Sequence, residues 1–271
     1  MKRICCLLLS IFILTGLLTT ARSQMQSGPE SQVLMGASQA NITPAFPVMM
    51  SGYEARKTPS TGVHDSLFAT ALYFKSSKTS LLLITADIIG YSKPFVDETR
   101  KKISAITDIP SENIMITAAH NHGGPVTRAY EKEVPESVEK YVKELQDKFI
   151  NLAVRASKKP VPFRMGTGKG ICTMNINRRA EFADGSIWLG RAPDKPCDHD
   201  VTVTKFEDMS GKLLAVFINW PCHATTNGQD NYLITADWPG AAARYIKKHT
   251  GDGTVVAITA GASGDIGPSP G

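Results

Sequence analysis

Residues 81–118 read LLLITADIIGYSKPFVDETRKKISAITDIPSENIMITA, and this stretch decides the fold class. Residues 81–86 form a continuous apolar run of strand length, and residues 114–118 form another. Between them, the apolar residues of 94–106 recur with the spacing of an amphipathic helix. A strand, a helix and a strand in succession predict a layered α/β domain.

The chain on both sides continues this alternation and predicts mixed β-sheets flanked by helices. Further strands are predicted at residues 33–44, 67–74, 201–206, 213–219 and 254–259. The clearest helix begins at Pro135, with an acidic first turn and a basic last turn, and a shorter helix is predicted at residues 238–248. No internal repeat and no interdomain linker is apparent, so we expect one domain.

The first 23 residues have the organisation of a signal peptide. Two basic residues precede the apolar run 4–18, and Ala21 and Ser23 are small residues at the spacing that signal peptidase reads. The run is short for a membrane-spanning helix, and an uncleaved anchor is the alternative. We expect cleavage before Gln24 and an exported domain, secreted or periplasmic, over residues 24–271.

The composition is that of a globular protein, with 42% hydrophobic and 20% charged residues, which excludes disordered and fibrous classes. The formal charge of +5 falls to +2 without Lys2, Arg3 and Arg22 of the leader, which contains no acidic residue. A charge this small gives no reason to expect a nucleic-acid partner.

Three cysteines lie outside the leader, at Cys172, Cys197 and Cys222. In an oxidising compartment two of them can pair, and we expect Cys172 to pair with Cys197. Cys222 precedes His223, but neighbours on an extended chain point to opposite faces, so a buried structural thiol is expected there.

The strongest chemical motif is AAHNHGGP at residues 118–125, at the end of a predicted strand. His120 and His122 are two residues apart, so in an extended chain both project to the same face. Imidazole is the commonest metal ligand and a common acid or base near neutral pH. The alternative is two histidines that cap a strand with ordinary hydrogen bonds.

Two other segments follow predicted strands. His223, in WPCHATT at 220–226, would meet the first pair if both strand ends share one edge. Asp237 opens the next helix, either as its N-cap or to orient a metal-bound histidine. The glycine-rich GASGDIGP at 261–268 can bring backbone N–H groups close to a developing negative charge.

Taken in order, these segments resemble the amino-terminal catalytic domain of the neutral/alkaline (non-lysosomal) ceramidase family. The resemblance rests on NITP at 41–44, AHNHGGP at 119–125, NINR at 175–178, residues 219–226, and the pairs AD at 236–237 and GD at 264–265. The motifs span residues 41–268, and their shared order is more specific than any single one.

The resemblance implies a zinc amidase that cuts the N-acyl bond of ceramide. His120 and His223 would be ligands of Zn²⁺, while His122 and Arg178 would contact the substrate near the scissile amide and steady the oxyanion. The metal would polarise the carbonyl and lower the pKa of a bound water, which would act as nucleophile. The partner would be a small-molecule or lipid substrate, presented at a membrane surface in the lipid case.

The sequence departs from the family in its closing loop, where Gly267 stands at the position of a serine. The family's remaining zinc ligands follow this loop, so we expect the catalytic domain to be incomplete at its carboxyl end. Two alternatives stay open: a catalytically inactive exported binding protein, and a non-functional fragment of a longer hydrolase.

Overall fold

A computed structural model describes residues 32–128 and 134–269. The predicted signal peptide, residues 1–23, lies outside the described residues and stays a prediction. Within the described ranges, no helix is long and apolar enough to cross a membrane.

The described residues confirm a mixed α/β fold. The strands are β1 (Leu34–Asn41), β2 (Gly62–Val63), β3 (Phe68–Lys75), β4 (Ser80–Ala86), β5 (Ile114–Ala118), β6 (Val161–Ile171), β7 (Asn175–Asn177), β8 (Arg179–Glu181), β9 (Ile187–Leu189), β10 (Asp200–Asp208), β11 (Leu213–Asn219), β12 (Leu233–Ile234), β13 (Val255–Thr259) and β14 (Ile266–Pro268). The helices are α1 (Lys93–Ile106), α2 (Glu136–Lys158) and α3 (Asp237–Thr250), with a 3₁₀ turn at Ser111–Asn113.

Eight strands form the main sheet in the order β13-β11-β10-β6-β1-β3-β4-β5. The pairs β4–β5 and β11–β13 are parallel, and the other neighbours are antiparallel. Each parallel pair is joined through a helix, α1 in one case and α3 in the other, as a parallel connection requires.

The sheet consists of two halves with the same order of elements. The amino half is β1, β3, β4, α1 and β5, and the carboxyl half is β6, β10, β11, α3 and β13. The halves pair only where Leu34 and Met35 lie opposite Pro162 and Val161. No internal repeat is apparent in the sequence, so the likeness of the two halves lies in their topology and not in residue identity.

The two halves pack against each other through their inner faces. Met35 and Leu72 of the amino half share one buried cluster with Phe206, Ala215 and Ala257 of the carboxyl half. Helices α1 and α2 cover the outer face of the amino half, and α3 covers the outer face of the carboxyl half. This layering leaves the carboxyl ends of β5 and β11 free to carry loops between the halves.

The structure confirms the predicted strands and helices to within a few residues, with one long strand that was not predicted. Strand β6 contains the glycine-rich run 166–170, GTGKG, which lies extended beside β10. The predicted Cys172–Cys197 disulfide is wrong, because all three described cysteines are free thiols. Cys222 is buried as expected, and burial raises its pKa to about 12, which leaves it an unreactive thiol at neutral pH.

Candidate functional site

Three histidines from two loops converge between the halves of the sheet. His120 and His122 follow β5, and His223 follows β11. One ring nitrogen of each lies within 4.8 Å of the others, and the ring centroids are 4.5–5.5 Å apart. A hydrogen bond from the His122 backbone N–H to the Ala224 carbonyl, 3.0 Å long, fixes the two loops beside each other.

Main-chain carbonyls orient all three imidazoles. The Nδ1 atoms lie 2.9 Å from Ile89 O for His120, 3.1 Å from Gly52 O for His122 and 2.6 Å from Ser263 O for His223. Because a carbonyl can only accept, each Nδ1 carries the proton and each Nε2 keeps its lone pair. This is the arrangement that metal-ligating histidines require.

Burial keeps two of the rings neutral. It lowers the pKa of His122 to about 3, with further contributions from His120 and His223. It also lowers the pKa of His223 to about 4, helped by the neighbouring Arg178 guanidinium. Both rings are therefore uncharged at pH 7, and each keeps an unprotonated Nε2.

The donor set fits a divalent metal such as zinc. Nε2 of His122 is buried and has no hydrogen-bond partner in the described structure. Leaving such an atom unpaired costs about 1–3 kcal/mol, so an acceptor placed here is expected to bind something. Imidazole nitrogens are common ligands of catalytic zinc, and two of them with a further protein ligand make up a known zinc set.

The backbone at His120 is also unusual. Its φ of 54° lies in the left-handed region, which few residues other than glycine adopt. Non-glycine residues in this region cluster at functional sites, because the surrounding structure must offset the strain.

Arg178 lies directly after β7 and beside the histidines. Its guanidinium donates to Nε2 of His223 at 3.0 Å and to the Gly264 carbonyl at 3.0 and 3.2 Å. A cation therefore lies beside the histidines, where it can face a substrate oxygen that gains negative charge.

Asp237 is buried near the site but does not contact the histidines. Its Oδ2 accepts from the backbone and side-chain nitrogens of Asn227, at 3.2 and 3.0 Å, and its Oδ1 accepts from Trp238 N at 2.7 Å. It is the first residue of α3, with φ 54°, while Ala236 occupies the N-cap position, and its carboxylate accepts from a first-turn N–H of the helix. Its catalytic role stays a prediction.

The closing loop contacts the site through carbonyls rather than through N–H groups. His223 Nδ1 is paired with Ser263 O and Ile266 O, and Arg178 is paired with Gly264 O. The loop thus orients the histidine and the arginine, while an anion site formed by its N–H groups stays a prediction. A Cβ at Gly267 would lie 3.5 Å from Arg178 Cδ, an ordinary contact.

Comparison with known proteins agrees with this geometry. Residues 33–270 match the family description "Neutral/alkaline non-lysosomal ceramidase, N-terminal". The chain belongs to this family. Its members named neutral ceramidase include neutral ceramidase A of Dictyostelium discoideum, which is 26% identical over 254 residues, 90% of this chain and 36% of that protein.

The neutral ceramidase of Pseudomonas aeruginosa is a second relative, 24% identical over 252 residues, 86% of this chain and 37% of that protein. Its crystal structure superposes with a TM-score of 0.75 at 23% identity, over 89% of this chain and 40% of that chain. The superposition shows a shared fold. This family member therefore spans about two fifths of the length of the relatives that it matches.

Residues 51–56 of this ceramidase-family chain also form part of the site, although no sequence motif marks them. Gly52 has φ 97°, and a Cβ there would lie 2.4 Å from His122 Nδ1. The Tyr53 ring packs edge-on against His122 with centroids 5.3 Å apart, and the Arg56 guanidinium lies 4.6 Å from the Tyr53 centroid.

Arg56 ties this segment to the histidine loop. The buried guanidinium donates to the carbonyls of Ser51, His122, Gly228 and Gln229, at 2.6–3.3 Å. Within the described part of the chain no carboxylate lies within ion-pair distance of it. A Gly-Tyr pair followed by a single arginine does not form a recognisable motif. Only an alignment of relatives would have identified these residues as part of the site.

A cavity of about 610 Å³ opens beside His120 and His223. Its apolar lining residues are Leu83, Met115, Ala118, Phe217, Ala260 and Ala262. The groove has the size and character of a site for a small or lipid-like molecule.

Proposed function

We propose that the protein is a zinc-dependent hydrolase of an amide or related acyl bond, with an N-acyl sphingolipid such as ceramide as substrate. The observation that carries this proposal is the convergence of three imidazoles whose Nδ1 atoms are all tied to carbonyls. Membership of a family whose relatives are named neutral ceramidases supports the choice of bond and substrate.

In this proposal His120 and His223 hold the zinc, one from each half of the sheet. Zinc, when bound, supplies an electrophile that polarises a carbonyl and lowers the pKa of a water. The His223 Nε2 that accepts from Arg178 becomes available when the guanidinium turns toward substrate.

His122, Arg178 and Asp237 act on the substrate or position the groups that do. His122 Nε2 is a buried, unprotonated acceptor, suited to accept a hydrogen bond from the substrate and not to steady an oxyanion as expected. Arg178 faces the oxygen that gains charge. Asp237 positions the loop of Asn227 next to the site through two hydrogen bonds.

The apolar cavity beside His120 and His223 supports a lipid substrate, because its lining suits an acyl chain better than a charged ligand. We further propose that the protein is exported, secreted or periplasmic, on the organisation of residues 1–23, and meets its substrate at a membrane surface.

The test is zinc content by elemental analysis, together with release of sphingosine from an N-acyl sphingosine. His120→Ala and His223→Ala are expected to lose zinc and turnover, whereas His122→Ala keeps zinc and loses turnover. His249→Ala, an exposed histidine on α3, is the matched control and changes neither.

Three results would contradict parts of this proposal. Loss of zinc from His122→Ala as readily as from the other two would make His122 a ligand rather than a substrate contact. Zinc without turnover in the wild-type chain would favour an exported binding protein that keeps the site. A chain with neither zinc nor a cooperative melt would favour the fragment alternative.

A further inference from the structure

Tyr53 reaches from one loop of the histidine site to the other. Its ring packs edge-on against His122, with centroids 5.3 Å apart, and the Arg56 guanidinium lies 4.6 Å from the ring centroid. Its hydroxyl lies within hydrogen-bonding reach of the Thr225 hydroxyl, two residues after His223. The half-buried side chain therefore lies beside the point where the three imidazoles converge.

The Tyr53 hydroxyl is protonated at neutral pH and available as a hydrogen-bond donor. Burial raises the pKa of Tyr53 above its ordinary value, and this effect exceeds the lowering by Arg56, Arg178 and Thr225. A phenol oxygen accepts as well as donates, so Thr225 can donate to it while the Tyr53 O–H turns to a third group. No carbonyl or carboxylate of the described ranges accepts a hydrogen bond from this O–H.

The histidine site presents mainly acceptors to a substrate. Carbonyls hold Nδ1 of His120, His122 and His223, so each Nε2 is an acceptor. Cleavage of an amide places negative charge on the carbonyl oxygen, and that oxygen requires donors. Arg178 is one such donor, and the Tyr53 O–H offers a second beside the same imidazoles.

The charges around Tyr53 favour a negatively charged oxygen beside its hydroxyl. The guanidiniums of Arg56 and Arg178 both act on Tyr53, against the single carboxylate of Asp237. That carboxylate already accepts hydrogen bonds from its own segment, so its charge is partly compensated. The balance is positive, and a positive field stabilises an oxyanion.

We propose that the Tyr53 O–H donates a hydrogen bond to the substrate oxygen that gains negative charge, which makes Tyr53 a catalytic residue beside Arg178. The proton stays on the phenol throughout, so the step needs no further acid or base. This role rests on the proposed cleavage of an acyl bond. The contrasting role is purely structural, in which the ring only holds His122 in place.

The experiment compares Tyr53→Phe, which keeps the ring, with Tyr53→Leu, which removes it. One readout is the kcat and KM of sphingosine release, together with zinc content. The other is the affinity of the chelator-treated chain for hexylphosphonate, a tetrahedral anion with an apolar tail, measured by isothermal titration calorimetry. The second readout requires neither metal nor turnover, so it tests the donor independently of hydrolysis.

Tyr53→Phe is expected to lower kcat about tenfold or more and to weaken hexylphosphonate binding about tenfold, because one hydrogen bond to a charged group is lost. KM, zinc content and Tm should stay near the wild-type values, since the ring contacts are kept. Tyr232→Phe is the matched control. Tyr232 also acts on the Arg56 guanidinium but directly precedes β12, on another segment, and its substitution should change neither readout.

Wild-type kcat and hexylphosphonate affinity in Tyr53→Phe, with both lost in Tyr53→Leu, would overturn the proposal in favour of a structural ring. A wild-type chain that binds no hexylphosphonate and releases no sphingosine would overturn it together with the proposed function. Hexylphosphonate binding that Tyr53→Phe weakens, in a chain that releases no sphingosine, would support the donor and count against the proposed hydrolysis alone.

Discussion

Carbonyl oxygens, not carboxylates, hold the three imidazoles in place. A carboxylate partner would raise the pKa of a histidine, whereas a neutral carbonyl fixes the tautomer with less effect on charge. Burial then dominates, and the pKa values of His122 and His223 fall to about 3 and about 4. His122 and His223 thus stay neutral over the physiological range.

This neutrality predicts acid sensitivity of the metal-free chain. In the unfolded chain both rings titrate near 6.5, so between about pH 6.5 and 4 the unfolded state binds more protons than the folded state. The free energy of unfolding should therefore fall as pH falls through that window. Urea titrations of the chelator-treated protein measure this, and His122→Gln should flatten the slope. A slope that His122→Gln leaves unchanged would contradict the depressed pKa.

The site depends on Gly52 having no side chain. In Gly52→Ala a Cβ at φ 97° meets His122 Nδ1 at 2.4 Å, so the imidazole must shift. We expect a loss of about 2–4 kcal/mol in the free energy of unfolding, from strain and overpacking together, and loss of turnover with zinc retained.

Gly211→Ala is the control for strain alone, because Gly211 has φ 90° with nothing within 4 Å of its added Cβ. It should cost only about 1–2 kcal/mol and leave turnover intact. Equal loss of turnover in both variants, measured as sphingosine release, would show that Gly52 acts through general stability and not through His122.

At the level of elements, the apolar patterns predicted most of the fold. Strands β4, β5 and β11 are continuous apolar runs, and α1 and α2 repeat apolar residues at helical spacing, so local sequence was sufficient. Strand β6 was missed because Gly166, Gly168 and Gly170 lower its strand propensity and leave no alternating pattern. Its pairing with β10 stabilises the strand despite its low strand propensity.

The candidate site could likewise be predicted only in part from the sequence. His120, His122 and His223 could be predicted from their positions after strands, and Arg178 from the resemblance to a family. Residues 51–56 could not be predicted, since Gly52 contacts His122, which lies 70 positions away in the sequence. Whether a glycine-rich loop presents N–H groups or carbonyls depends on backbone angles that no composition specifies.

Arg56 gives a prediction at this level, because it connects three loops. A lysine cannot donate to four carbonyls from one planar fork, so Arg56→Lys leaves several of them unpaired. We expect a loss of about 3 kcal/mol in the free energy of unfolding, and faster proteolysis near Gly228. Arg155→Lys, at a position with one exposed bond to the Gln39 carbonyl, should change stability by less than about 0.5 kcal/mol. Similar melting curves for the two variants would contradict this account.

For the whole molecule, the repeat of two halves places the site at their boundary. The amino half supplies His120 and His122 at the end of β5, and the carboxyl half supplies His223 at the end of β11. The halves pair through only two residues of each central strand, so their packing depends on the inner apolar cluster. A metal bound by both halves would join them further at this boundary, where the His122 N–H already donates to the Ala224 carbonyl.

Zinc should therefore stabilise the fold and not only activate it. A ligand that binds only the folded chain adds roughly 2.7 kcal/mol at a hundred times its dissociation constant, or about 5–10 °C in Tm for a chain of this size. Calorimetry with and without chelator measures the shift. His120→Ala and His223→Ala, although they lie in different halves, should each abolish it, while His249→Ala keeps it. A shift that survives either substitution would mean that zinc binds within one half, and the site would then not lie across the boundary.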